Sequence, residues 1–102
     1  MKSMKKVELI IESVYQNRLL ELFKKHEIGG YTIIKDIEGA GGHGLKTGDD
    51  VTGVFSNIYV FTVCEDSIYQ KMDKDIRLFL KAYGGKCILS DVMLLLGTPK
   101  NH

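Results

Sequence analysis

Several things that would narrow this chain's chemistry at once are scarce in it. Neither sign of charge is in excess: 14 Lys and Arg stand against 13 Asp and Glu, for a net charge of +1. That balance argues against a nucleic-acid protein whose affinity rests on surplus Lys and Arg. Cysteine is rare. Cys64 and Cys87 lie far apart inside apolar segments, with no CxxC spacing. Buried, reduced thiols are therefore expected, not a zinc site or a redox pair. No apolar run approaches the length of a membrane span. The start, Met1-Lys2-Ser3-Met4-Lys5-Lys6, is basic, but Glu8 and Glu12 break the apolar region a signal peptide needs, so a cytoplasmic location is expected. No Ser/His/Asp or paired-carboxylate spacing stands out, and no enzyme is expected. His26 suits a helix C-terminus, where the dipole favours an imidazolium, better than catalysis.

What is present fits one domain of 102 residues with ordinary apolar content. A core of this size has little margin, so oligomerisation would help it. Six of the eleven glycines fall between Glu38 and Val54. No helical or strand period runs through that stretch, while strongly patterned segments flank it. A glycine-rich insert of this length in a small domain is either functional or disordered.

In chain order, Lys5 to Glu12 alternates around Val7, Leu9 and Ile11 as a strand. Ser13-Val14-Tyr15-Gln16 reads as a capping box for a helix carrying Leu19, Leu20, Leu22 and Phe23. Gly29 and Gly30 are expected to stop that helix. Tyr31 to Ile37 is a second strand. Phe55 to Cys64 is a third, with Ile58, Val60 and Thr62 on one face and Tyr59, Phe61 and Val63 on the other, which suggests an interior position. Asp66 or Ser67 caps a helix whose apolar residues are Ile68, Met72, Ile76, Phe79, Leu80 and Tyr83, with Lys71, Asp73, Lys74, Asp75, Arg77 and Lys81 opposite. Gly84 and Gly85 end it, and Lys86 to Leu96 is the fourth strand.

The order β-α-β-loop-β-α-β predicts an α+β, ferredoxin-like fold: a four-stranded antiparallel sheet with both helices on one face and a long glycine-rich loop between strands 2 and 3. The open face would expose Ile, Val, Leu and Cys side chains, and apolar patches of that kind mark interfaces. An oligomer packed through its sheet is expected.

Gly39-Ala40-Gly41-Gly42-His43-Gly44 has the form G-x-G-x-x-G, but Leu45, Lys46, Thr47, Gly48, Asp49 and Asp50 make a poor helix start, so the dinucleotide turn lacks its context. A phosphate-binding P-loop fails too, because Leu45 separates Gly44 from Lys46. What survives is more general: glycines let backbone amides surround an anion, and His43 and Lys46 could add charge or donors. A solvated, ligand-free hairpin loop is the competing reading. Gly84-Gly85-Lys86 is first a helix C-cap, and second a turn that could meet a phosphate. A metal held by His43, Asp49 and Asp50 has weak support from a loop of this composition.

These pieces together resemble a PII-type signalling protein over nearly the whole chain. The resemblance rests on Lys5-Lys6-Val7-Glu8-Leu9-Ile10-Ile11, on Ile28-Gly29-Gly30-Tyr31-Thr32-Ile33, and on Gly39-Ala40-Gly41 at the base of the long loop. Gly84-Gly85-Lys86-Cys87-Ile88 completes it. It implies a single PII-like domain over 1–102 and a homotrimer with inward-facing sheets. It also implies adenine-nucleotide sites between subunits, and a loop at about 38–54 that docks on a membrane transporter or metabolic enzyme. Carried over, Thr32, Gly39 and Gly41 meet the nucleotide from the second strand and loop base. Gly84, Gly85 and Lys86 form the phosphate turn, and Ile10, Phe61 and Val63 lie near the base pocket. Leu45, Lys46, Thr47, Asp49 and Asp50 fall in the partner-binding part of the loop.

The loop has neither Tyr nor Ser, so the residues modified in nitrogen-regulatory members are missing. The phosphate turn is one residue short, with Tyr83 where a glycine is expected. The tail lacks the family's arginines, and Glu12 stands where a Lys is common. The chain is accordingly more similar to small PII-like proteins linked to bicarbonate transporters and carboxysomes. That resemblance implies AMP, ADP, ATP or cyclic AMP as the ligand, bicarbonate as a further candidate, and no cofactor. The alternative on the same frame is a trimeric metal-binding protein similar to the family's copper-tolerance relatives.

Overall fold

The computed structural model describes residues 1–38 and 56–97. Strand β1 (Lys2–Glu12) leads through a 3-10 turn (Ser13–Tyr15) into α1 (Gln16–Lys25), followed by β2 (Thr32–Ile37), β3 (Asn57–Cys64), α2 (Asp66–Tyr83) and β4 (Lys86–Leu94). The four strands form one antiparallel sheet in the order β2-β3-β1-β4. This is the expected ferredoxin-like fold, with the two long connections carrying the helices. No helix among the described residues is long and apolar enough to cross a membrane.

Period-two alternation decides which side chains the helices cover. Val7, Leu9 and Ile11 of β1 and Ile58, Val60, Thr62 and Cys64 of β3 are buried. They meet Leu19 and Phe23 of α1 and Tyr69, Met72, Ile76 and Phe79 of α2 in one core. β3 is interior, as its two apolar faces imply. The hydroxyl of buried Thr62 donates to the Gly30 carbonyl at 2.5 Å, so it carries no desolvation penalty. Both thiols point to the helix side, Cys64 beside Lys5 and Cys87 beside Leu9 in register, and so leave the open face without cysteine. Cys64 is buried and Cys87 half-buried, and burial raises both thiols, Cys87 to about 11.

The helix ends differ from expectation. The Ser13 hydroxyl does not cap an early amide. It pairs with Ser56 Oγ at 2.8 Å, while the Ser13 amide donates to the Ser56 carbonyl at 2.7 Å, tying the end of β1 to the start of β3. Neither Asp66 nor Ser67 caps α2; Glu65 takes that position and makes no side-chain cap bond. Nor do Gly29 and Gly30 stop α1. The Glu27 amide donates to Lys24 and the Ile28 amide to Phe23, with Glu27 itself at φ 61°. That is a Schellman ending with a glutamate at its left-handed position, closed by the buried pair Ile28 and Phe23. Tyr69 is also buried, although the expected apolar stripe omitted it. Its hydroxyl bonds to Asp73, so the ring sits in the core while its oxygen reaches the polar face.

Asp75, expected on the solvated face of α2, instead joins the helices. His26 Nε2 lies 2.8 Å and Lys25 Nζ 3.0 Å from its Oδ2. The bonds from His26 and then Lys25 hold its carboxyl below the usual carboxylate range. A depressed value favours the folded state above the unfolded carboxyl's pKa of about 3.9, and the benefit is lost as pH falls through the lower folded value. Asp75→Asn should therefore show a shallower loss of stability below about pH 4 than the parent chain, read by urea denaturation across that window.

Glu27→Gly relieves a left-handed strain of about 1–2 kcal/mol and adds about 0.4–1 kcal/mol of unfolded-state entropy cost. A net stabilisation of roughly 0.5–1 kcal/mol is expected in urea denaturation. Gly29→Ala, where a Cβ meets nothing within 4 Å, should not destabilise the chain.

Candidate functional site

The face of the sheet away from the helices is built by cross-strand register. Thr32 lies opposite Phe61, Phe61 opposite Glu8, and Glu8 opposite Ile88. The neighbouring row is Ile34, Tyr59, Ile10 and Lys86, and Val63, Lys6 and Ser90 form a third. Residues opposite one another in an antiparallel ladder project on the same side. The sheet thus brings Ile10, Thr32, Phe61, Val63 and Lys86, expected from distant parts of the chain, onto a single surface. Gly84 and Gly85 lead into that surface at the end where Ile10 lies.

The glycine turn is fixed by space and by backbone angle. α2 ends at Tyr83, and the Gly84 amide closes the last turn on the Leu80 carbonyl at 2.8 Å. Gly84 has φ 82° and Gly85 φ 103°, both in territory that favours glycine. A Cβ on Gly84 would meet nothing within 4 Å, whereas one on Gly85 would stand 2.5 Å from the Ile10 carbonyl oxygen and 2.9 Å from Ile11 Cγ2. Gly85 is therefore where the chain passes against β1 before β4 begins. Lys86 opens β4, exposed, directly opposite Ile10. The turn serves both as a helix C-cap and as a backbone corner carrying a cation.

Sequence reasoning missed two features of this region. In the middle of the open face the Tyr59 hydroxyl donates to Glu8 Oε2 at 2.6 Å. Lys6 Nζ stands 3.8 Å from the same oxygen and 4.8 Å from the centre of the Phe61 ring. The Glu8 bond pushes the Tyr59 phenol up to about 12. Alternation alone places Lys6, Glu8 and Ile10 on one face, but Tyr59 joins them only through register. The second feature is an aromatic stack at the mouth of the turn. The Tyr83 ring lies 4.6 Å from Tyr15 and 5.0 Å from Phe79, and the Arg18 guanidinium stands 5.3 Å from its centre.

A groove of about 650 Å³ between α1 and the connection to β2 is lined by Asn17, Leu20, Glu21, Lys24 and Tyr31. It lies on the helix side and contains none of the candidate residues. Gly39, Gly41 and His43, and with them Leu45, Lys46, Thr47, Asp49 and Asp50, lie outside the described residues. The metal alternative rests on three of these, His43, Asp49 and Asp50, and the described residues hold no cluster of metal-ligating side chains.

Compared with known proteins, residues 4–95 match the nitrogen regulatory protein P-II family. No curated protein sequence matches. Among solved structures, CPII, a nitrogen regulatory PII-like protein from Thiomonas intermedia K12 bound to ADP, AMP and bicarbonate, is similar with a TM-score of 0.75. It is 21% identical, over 96% of this chain and 97% of that one. A protein described as PII-like and signalling, from Thermus thermophilus, gives a TM-score of 0.70 at 23% identity, over 89% and 88%. GlnK of B. subtilis, in complex with ATP, gives 0.57 at 17% identity, over 90% and 84%. At such identities the likeness shows the fold.

The two glycines of the turn should respond differently to alanine. Gly84→Ala carries backbone strain alone, of order 1–3 kcal/mol. Gly85→Ala adds a collision with the β1 backbone and should cost more, enough to detach the start of β4. Urea denaturation of the two variants reads the difference.

Proposed function

The chain belongs to the nitrogen regulatory protein P-II family, and from that premise we propose that it is a non-enzymatic sensor of adenine nucleotides. The observation that carries this reading is that Ile10, Thr32, Phe61, Val63 and Lys86 share the open face of the sheet, with the Gly84-Gly85 turn packed against Ile10 where β4 begins. The apolar members supply a surface for a planar base. The turn supplies a backbone corner without Cβ atoms, and Lys86 supplies the charge that attracts a phosphate. CPII bound to ADP, AMP and bicarbonate, and GlnK bound to ATP, support adenine nucleotides as the ligand class and bicarbonate as a second ligand.

In this reading the protein is a trimer whose copies meet through their open faces. Ile34 and Ile88 are 50% and 49% exposed there, more apolar surface than an isolated sheet face would leave to water. Nucleotides sit in the clefts between copies, with Gly39, Gly41 and His43 completing each site. The segment at about 38–54 is the output. Its Leu45, Lys46, Thr47, Asp49 and Asp50 dock on a transporter or metabolic enzyme, and the location is cytoplasmic. A ligand resets that segment only by binding one of its conformations better than another. Bound nucleotide therefore acts by differential affinity and needs no chemical step.

Calorimetric titration with AMP, ADP, ATP and cyclic AMP, with and without bicarbonate, tests the reading. Micromolar binding of at least one nucleotide is expected, and its loss in Lys86→Glu with the oligomeric mass unchanged. Flat titrations of the parent chain across the panel would overturn the sensor reading. Unchanged affinity in Lys86→Glu would remove the turn from the site.

A further inference from the structure

The chain has two arginines. Arg77 is paired with Asp73 at 2.8 Å. Arg18 is placed differently. It is exposed, on the first turn of α1, with its guanidinium over the ring of Tyr83, the residue that leads into Gly84 and Gly85. Tyr15 and Phe79 hold that ring from other sides, so the platform under the guanidinium is fixed by packing in the core. Among the described residues neither Arg18 nor Lys86 makes a salt bridge, a property they share with Lys24, Lys35, Lys71, Lys74 and Lys81; what sets Arg18 apart is its aromatic platform beside the turn.

A guanidinium held over an aromatic ring still carries N–H donors in a rigid fork that the ring does not use. A fork of that shape matches two oxygens of a phosphate. Resting on the proposal that this turn receives a nucleotide's phosphates, we infer that Arg18, over the ring of the residue that precedes the turn, is a second cationic contact of the site beside Lys86, and that it engages the phosphates beyond the first. Lys86 anchors the phosphate nearest the nucleoside. Arg18 then sets how strongly the site distinguishes a nucleoside di- or triphosphate from a monophosphate. A charge stacked on a pre-placed ring loses little side-chain freedom on binding, which keeps the entropy cost of the contact low.

The test is calorimetry of AMP, ADP and ATP against the parent chain, Arg18→Gln and Arg18→Lys, with thermal denaturation of each variant. The expected result is that Arg18→Gln weakens ADP and ATP by roughly ten- to a hundredfold, the span of one charge-assisted bond, and leaves AMP within about twofold. Arg18→Lys keeps a charge without the fork and should fall between. Equal weakening of all three nucleotides, or no weakening of any, overturns the role of Arg18 while leaving the sensor reading in place. A parent chain that binds none of them overturns both. Lowered thermal stability combined with equal weakening assigns Arg18 to packing alone.

Discussion

Strand β4 can lie beside β1 only because nothing projects from residue 85. The chain leaves α2 at a Gly84 whose φ is 82°, passes within collision distance of the Ile10 carbonyl, and enters the sheet at Lys86. Any side chain at Gly85 would push that passage outward. The last strand would then lose its first rung, and the pairing of Ile10 with Lys86 would go with it. The position of the cation relative to the apolar surface follows from this close approach. It joins the stability of the sheet to the geometry of the candidate site, since the residues that build one also build the other.

Much of the fold was legible because long, regular patterns leave little choice. The spacing of Met72, Ile76, Phe79 and Tyr83 admits only a helix, and the alternation of Ile58, Val60 and Thr62 with Tyr59, Phe61 and Val63 admits only a strand with two useful faces. Local detail was less legible where tertiary contacts overrode local chemistry. Ser13 had a partner close in sequence but found Ser56, 43 residues away. Gly29 and Gly30 looked like the stop for α1, yet Glu27 absorbs the left-handed conformation because Ile28 must turn back onto Phe23. Tyr69 lies outside the expected apolar stripe yet is buried, and Asp73 one turn on gives its oxygen a partner. For the candidate site, the glycine pair and Lys86 could be read directly, while Glu8 and Tyr59 needed the register of β1 against β3, which no single segment encodes.

The balanced net charge conceals an ordered arrangement. At the start of β1 the charges are matched. Lys2 pairs with Glu65 at 2.6 Å, and Lys5 lies between Asp91 and Asp66. These pairs fasten the first strand to the N-terminal end of α2 and to the edge strand, each adding little because each is exposed. At the opposite end, where α2 finishes and β4 begins, Lys86 and Arg18 stand without such partners among the described residues. Two cations without ion-pair partners among the described residues thus mark one corner of a chain whose net charge is +1. What an anion meets depends on that corner more than on the whole-chain total.

The edge strand β2 has a consequence for the chain's behaviour in crowded solution. It is short, spanning Thr32–Ile37, and its register against β3 shifts between Ile34 and Ile37, where Asp36 takes φ 58° and Lys35 is exposed. A neighbouring molecule seeking to extend the sheet there would find a broken row of amides and carbonyls with charges on its margin, which is a poor template for strand addition. β4, the other edge, runs nine residues to Leu94 without such an interruption and is followed by Leu95 and Leu96, both largely exposed. Strand addition at the sheet edges is therefore discouraged at one margin and left open at the other, so the chain's resistance to aggregation is directional.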